Sequence, residues 1–174
     1  MKILIDARLY GLENAGLGRY TMNLVQELIK LDRKNDYVLL LRKKYFDKLS
    51  LPANWEKVLA DFRHYGFLEQ TAVPRIITRE KPDLVHFPHF NIPVFFNGNF
   101  VVTVHDMLMH KFAGLSASTL PAPLYFLKQL IYRGVFRRAV FGSKKIIVPS
   151  QAVKDEILGY YKKIDEEKIK VIYE

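Results

Sequence analysis

Apolar residues follow two alternating rhythms along this chain. Residues 2–7 (KILIDA) form a short apolar run that ends on a polar group. A glycine-bearing stretch, 9–19, follows. Residues 20–31 then place Met22, Leu24, Val25, Leu28, Ile29 and Leu31 close to helical spacing. The succession repeats. Residues 36–42 (DYVLLLR) read as a second strand, and a weaker third lies within 55–62. A helix over 67–80 is stopped by Lys81-Pro82. Residues 83–87 (DLVHF) and 100–105 (FVVTVH) are apolar strands. Pro121 and Pro123 open a long helix over about 124–141. Residues 145–149 (KIIVP) form another strand, Ser150 is placed to cap a helix over about 151–161, and 168–173 (KIKVIY) is the last strand.

Most of these strands are unbroken apolar runs, the pattern of strands covered on both faces. Strands alternating with helices then predict an α/β fold: a Rossmann-like, doubly wound, mostly parallel sheet. No internal repeat or interior linker interrupts residues 1–174, which read as one domain. Ligands in such sheets sit at the carboxyl ends of the strands. That rule selects Asp6, Arg8 and the loop to Gly18 after the first strand. It also selects His86, His89 and Asn91 after the fourth, His105 and Asp106 after the fifth, and Ser150 after the sixth.

Composition narrows the picture. Hydrophobic residues make up 49% of the 174 and charged residues 26%, a folded and not a disordered balance. The absence of cysteine excludes disulfides, thiolate metal sites and a cysteine nucleophile, and fits a reducing cytoplasm. Asp6 and Arg8 come too early for a leader peptide, and no apolar run approaches the roughly 18 residues of a membrane span. The net charge of +9 is unevenly spread. Residues 107–154 contain no Asp or Glu but hold Lys111, Lys128, Arg133, Arg137, Arg138, Lys144, Lys145 and Lys154. Such a field draws polyanions, whether nucleic acid, anionic lipid or sugar phosphate; a solvated basic face is the plainer alternative.

Gly16-Leu17-Gly18 lets backbone approach a ligand ahead of a helix whose N–H groups favour phosphate or sugar oxygens. It falls short of the dinucleotide fingerprint, because Thr21 stands at the third glycine and Arg42, Lys43 and Lys44 follow the second strand in place of an acid. It equally fits a tight turn without a ligand. His86-Phe87-Pro88-His89 has too few neighbouring ligands for a metal, so no metal is assigned. A structural His86 and an exposed, ligand-facing His89 are expected instead. His105 suits polar contacts in a cleft, with Asp106 orienting it, binding a hydroxyl or capping a helix. No GxSxG elbow supports a hydrolase, and no carboxylate pair supports glycoside hydrolysis. In the long helix, Leu124, Leu127, Ile131, Gly134, Val135 and Phe141 are expected to face the core. Lys128, Arg133 and Arg137 would then lie on a membrane or polyanion surface.

Five segments, taken in order, carry a resemblance: Ile5-Asp6-Ala7-Arg8; Ala15-Gly16-Leu17-Gly18-Arg19-Tyr20-Thr21; Pro82 to Phe90 (PDLVHFPHF); Val101 to Met107 (VVTVHDM); and Ile146-Ile147-Val148-Pro149-Ser150. Together they resemble the N-terminal domain of family 4 (group 1) GT-B glycosyltransferases, in the mannosyltransferase branch. The resemblance implies a retaining, metal-independent transfer from a nucleotide-sugar donor, with no other cofactor. This half would bind the acceptor, a glycan or lipid-linked sugar. It also implies that Gly16, Gly18 and Ser150 approach the donor phosphates or sugar and that His105 acts at the reacting centre. Arg8, His89 and Asp106 would touch acceptor or donor sugars. The family's C-terminal donor domain, with its basic diphosphate-binding residues and E-x7-E pair, does not occur in these 174 residues. The chain alone is therefore expected to transfer sugar negligibly. Its partners would be that domain, in cis or in trans, and an anionic membrane surface on the cytoplasmic side, with no nucleic acid. A subunit of a split enzyme and a stand-alone glycan or anionic-lipid binding module are the alternatives.

Overall fold

The computed structural model describes residues 1–111 and 121–173. Seven strands form a single all-parallel sheet in the order β3-β2-β1-β4-β5-β6-β7. They are β1 (Lys2–Asp6), β2 (Asp36–Leu41), β3 (Trp55–Leu59), β4 (Leu84–Phe87), β5 (Phe100–Thr103), β6 (Lys145–Val148) and β7 (Ile169–Val171). The helices are α1 (Ala15–Leu31), the one-turn α2 (Lys43–Phe46), α3 (Phe67–Glu80), α4 (Leu108–Lys111), α5 (Ala122–Gly142) and α6 (Gln151–Tyr160). The expected α/β, Rossmann-like architecture is the one observed.

Alternate residues of each central strand feed two apolar layers. Leu4, Val38 and Leu40 join Val73 and Ile77 of α3, Phe136 and Val140 of α5, and Ile157 of α6. Ile5, Leu39 and Leu41 join Val25 of α1, with Tyr45 and Phe46 of α2 packed against them. Burial on both faces is what required continuous apolar runs. The chain winds outward from β1 to β2 and β3, then returns through α3 to β4 on the other side of β1. Ile5 pairs with His86 in that seam. The carboxyl ends of β1 and β4 therefore flank the topological switch point, where the crossovers diverge and leave a crevice.

Two expectations change. The first helix begins at Ala15, so Gly16 and Gly18 lie in its first turn and not in a loop. The glycines lower helix propensity, which hid the start. In α5 the faces are exchanged. Its buried side is Tyr125, Gln129, Tyr132, Val135, Phe136, Ala139 and Val140, whereas Leu124, Phe126, Leu127, Leu130 and Ile131 are each more than half exposed. Of the residues expected in the core, only Val135 is there. The helix is apolar nearly all round, so periodicity gave no unique answer. The aromatic face won because Tyr132 and Phe136 meet His110, Phe90 and Tyr161. Residues 112–120 of the acid-free basic stretch lie outside the described residues.

Candidate functional site

The β1 exit carries a buried charge cluster. Asp6 ends the strand and Arg8 follows after one residue, close enough for a fork-to-fork pair: Arg8 Nε donates to Asp6 Oδ1 at 2.7 Å and Nη2 to Oδ2 at 2.6 Å. Nη2 also lies 2.6 Å from Oε1 of Glu69, on the first turn of α3, where the helix dipole favours an anion. Arg8 is 1% exposed and Glu69 0%. The other Glu69 oxygen accepts from Asn91 Nδ2 at 2.7 Å and from the Tyr65 amide at 2.8 Å. The guanidinium also lies 4.9 Å from the centre of the Phe62 ring.

Electrostatics keep this cluster ionised. Burial pushes the Asp6 carboxyl up, but the Arg8 guanidinium more than reverses that and leaves it below its ordinary value. For Glu69, burial is outweighed by contact with His64 and the charge of Arg8. Arg8 itself is held further above its usual range: burial opposes its charge, and the two carboxylates overcome it. Two features are unsatisfied. Arg8 Nη1 is buried without a partner among the described residues. His64 Nδ1 lies 3.2 Å from Glu69 Oε1 but out of hydrogen-bonding alignment, and neither of its ring nitrogens has a partner among those residues. Asp6, His64, Pro88, His89 and Asn91 line a narrow crevice beside the cluster.

His89 borders this crevice but is not exposed as expected. It is 9% accessible, and its Nδ1 accepts the Asn91 amide at 3.3 Å. Burial, with repulsion from His105 and His64, pushes its pKa down to about 3, so it is neutral at pH 7. His86 is the structural histidine that the sequence suggests: buried, with Nε2 3.0 Å from Thr103 Oγ1, and pushed down to about 4 by burial and by His105. His105 sits at the rim beyond β5 and donates from Nε2 to the Pro88 carbonyl at 2.9 Å. That bond joins the β5 exit to the β4 exit. Asp106 is exposed and its Oδ1 accepts the Leu108 amide at 2.9 Å, so it caps α4.

Three groups stand apart from the crevice. Ser150 lies after β6, where its hydroxyl accepts from the Val153 amide at 3.3 Å and caps α6. Gly18 is a packing residue, because a Cβ there would lie 1.8 Å from the Gly11 carbonyl oxygen. Gly16 faces open space on the first turn of α1, a turn without a side-chain cap. Lys128, Arg133 and Arg137 are exposed on α5. No group of three or more His, Asp or Glu able to hold a metal occurs among the described residues.

With the geometry in place, comparison with known families is decisive. The model of Glycosyltransferase Family 4 matches residues 15–174. The chain belongs to glycosyltransferase family 4. Comparison with curated proteins gives no match. In this family 4 chain, the match covers every rim group named above except Asp6, at the end of β1, and Arg8, two residues further on, which both precede it. Sequence reasoning missed Glu69 and His64. Both come from the segment between β3 and the first turn of α3, where only the fold shows which residues turn inward. The one available signal was an acid three residues after Gly66 at a helix start.

Proposed function

We propose that this chain is the acceptor-binding half of a retaining glycosyltransferase. The transfer runs from a nucleotide sugar to a glycan or lipid-linked acceptor, with mannose from GDP-mannose as the donor to test first. The observation that carries the reading is the buried Asp6–Arg8–Glu69 cluster at the switch point, bordered by His89 and Asn91 and joined to His105 through Pro88, in a family 4 chain. Its polar rim offers donors and acceptors suited to sugar hydroxyls, which both give and accept hydrogen bonds. In this reading His105 stands at the reacting centre, Gly16 and Ser150 border the donor, and Arg8, His89 and Asp106 hold sugars directly or through neighbours. Gly18 contributes the packing that brings α1 close to the Gly11 turn.

The leaving diphosphate needs positive charge to stabilise it, usually the largest catalytic contribution. The reading assigns that to a separate donor domain, so the isolated chain should show no transfer above background with GDP-mannose and an acceptor. Supplying a family 4 donor domain, fused or as a second polypeptide, should give transfer with retained anomeric configuration. Robust turnover by the chain alone would overturn the half-enzyme reading.

The outward face of α5 supports a cytoplasmic enzyme at an anionic membrane surface. Leu124, Leu127, Leu130 and Ile131 project away from the core, with Lys128 and Arg133 exposed among them. The same observation favours a second reading, a stand-alone anionic-lipid binding module. Vesicle binding combined with no activity in any donor-domain pairing would select it.

A further inference from the structure

Beneath the rim, three elements meet on one hydroxyl. Thr103 closes β5 and is fully buried. Its Oγ1 lies 3.0 Å from His86 Nε2 on β4 and 3.0 Å from the Tyr20 hydroxyl on α1. The Thr103 hydroxyl has one proton and two lone pairs, so three arrangements satisfy both contacts. His86 Nε2–H donates to Thr103 and Thr103 donates to Tyr20; Tyr20 donates to Thr103 and Thr103 donates to the His86 lone pair; or His86 Nε2–H and the Tyr20 hydroxyl both donate to Thr103. In each, the Tyr20 hydroxyl is tied to the sheet through Thr103. The body of the Tyr20 ring then meets His105 edge-on, with centroids 4.7 Å apart and planes at 81°. Thr103 and His105 are two residues apart on one extended segment, which brings their side chains to the same side. On its own Nε2, His105 donates to the Pro88 carbonyl at 2.9 Å.

We propose that Tyr20 is the positioning residue for His105: its hydroxyl is anchored on Thr103, and its ring fixes the imidazole so that Nε2–H stays on the Pro88 carbonyl. The anchor matters because an aromatic ring alone restrains a neighbour only weakly, whereas a ring pinned at its far end by a hydrogen bond cannot rock away. His86 reaches the rim through the same link: it acts on His105 by holding the Thr103 hydroxyl. Buried His86 of β4 thereby has a part in the pose of the half-buried His105 at the rim. The effect of this pose on sugar transfer rests on the function proposed above; the pose itself does not.

Long-range ¹⁵N–¹H spectra of the full chain, labelled at its five histidines, test the proposal. In the wild type, His105 should carry a proton on Nε2, held on the Pro88 carbonyl. Tyr20→Leu removes the buttress, and the Nε2–H signal should move away from its wild-type position. Tyr20→Phe and Thr103→Val delete the same bond from opposite ends, and Thr103→Val also releases His86, which by the proposal acts only through that bond. Each should give an intermediate shift, and the double variant no more than either alone. His110, held between the Tyr132 and Tyr161 hydroxyls, should keep its wild-type signals in all of them and so report an intact fold. An unchanged Nε2–H pattern for His105 in Tyr20→Leu, or additive effects of Tyr20→Phe and Thr103→Val, would overturn the proposal. Should Tyr20→Leu lose the His110 signals, the comparison of Tyr20→Phe with Thr103→Val decides. A wild-type spectrum as described together with no sugar transfer in any donor-domain pairing would remove the proposed function and leave the positioning role standing.

Discussion

Replacing Glu69 probes the switch-point cluster most sharply. The carboxylate has no exposure and takes three hydrogen bonds: Arg8 on one oxygen, Asn91 and the Tyr65 amide on the other. Glu69→Ala strips the second carboxylate from a guanidinium whose Nη1 is already without a partner, and it leaves the Asn91 amide donor unpaired. Arg8 keeps its two bonds to Asp6, so the loss falls at the low end of the range for a broken buried ion pair, about 3 kcal/mol. For a chain of this size that lowers Tm by roughly 6–12 °C. Glu69→Gln tests the chemistry behind the number. With its carbonyl towards Arg8, its NH2 must face two donors, and the reverse flip puts NH2 against Arg8. An isosteric amide therefore cannot satisfy the site, and about half the loss should remain. The control is Glu27→Ala, an exposed i,i+3 partner of Lys30, which should stay within about 0.5 kcal/mol of wild type. Thermal unfolding followed by circular dichroism measures all three. A Glu69→Ala shift no larger than that of Glu27→Ala would refute the reasoning that this cluster is dry and tightly coupled.

Further outcomes follow from other parts of the molecule. His86 and His89 are buried neutral with pKa values of about 4 and about 3, below the unfolded value near 6.5; the unfolded chain binds their protons first, so stability is complete above pH 6.5 and falls as pH drops towards 4. The lowered carboxyls of Asp6 and Glu69 add a loss that begins at about pH 5 and deepens below it, and a Tm that stays flat from pH 6.5 to 4.5 would contradict the buried histidines. Gly18→Ala should cost more than about 2 kcal/mol, because the new methyl meets the Gly11 carbonyl; Gly16→Ala, which meets nothing, should be neutral or stabilising by up to about 1 kcal/mol in the same unfolding assay. The chain should co-sediment with vesicles containing phosphatidylglycerol and not with pure phosphatidylcholine, and Leu127→Ser/Leu130→Ser or Lys128→Glu/Arg133→Glu should weaken that binding at least roughly tenfold.

The sheet was legible because both faces of its central strands are covered, which left continuous apolar runs at most strands; the edge strands β3 (WEKVL) and β7 (IKV), partly exposed, carry charged residues and read more weakly. Most boundaries follow from local chemistry: Lys81-Pro82 ends α3, Pro121 and Pro123 open α5, and Ser150 caps α6. The short helices α2 and α4 left no periodic signal, since one turn shows no repeat. The orientation of α5 was illegible for the opposite reason. It has apolar residues on both sides, and only the aromatic cluster around His110 and Phe136 decides which side packs. At the site, the strand-end rule found Asp6, Arg8, His89 and His105. Glu69 came from an unrelated segment 61 residues beyond Arg8, a pairing that no local pattern encodes. His89 looked exposed in sequence because it follows a proline at a strand end, yet its bond to the Asn91 amide folds it inward.

The central claim is that this chain holds the acceptor side of a sugar transfer at the rim joining the β1, β4 and β5 exits. It is tested most directly by titrating the isotope-labelled chain with methyl mannosides and short mannose disaccharides, and separately with GDP-mannose, while following backbone and histidine signals. The account predicts saccharide-dependent shifts concentrated at Arg8, His89, Asn91, His105 and Asp106, with at most weak shifts from GDP-mannose near Gly16 and Ser150. Tight GDP-mannose binding to the chain alone, or saccharide titrations that leave the rim unmoved, would contradict it.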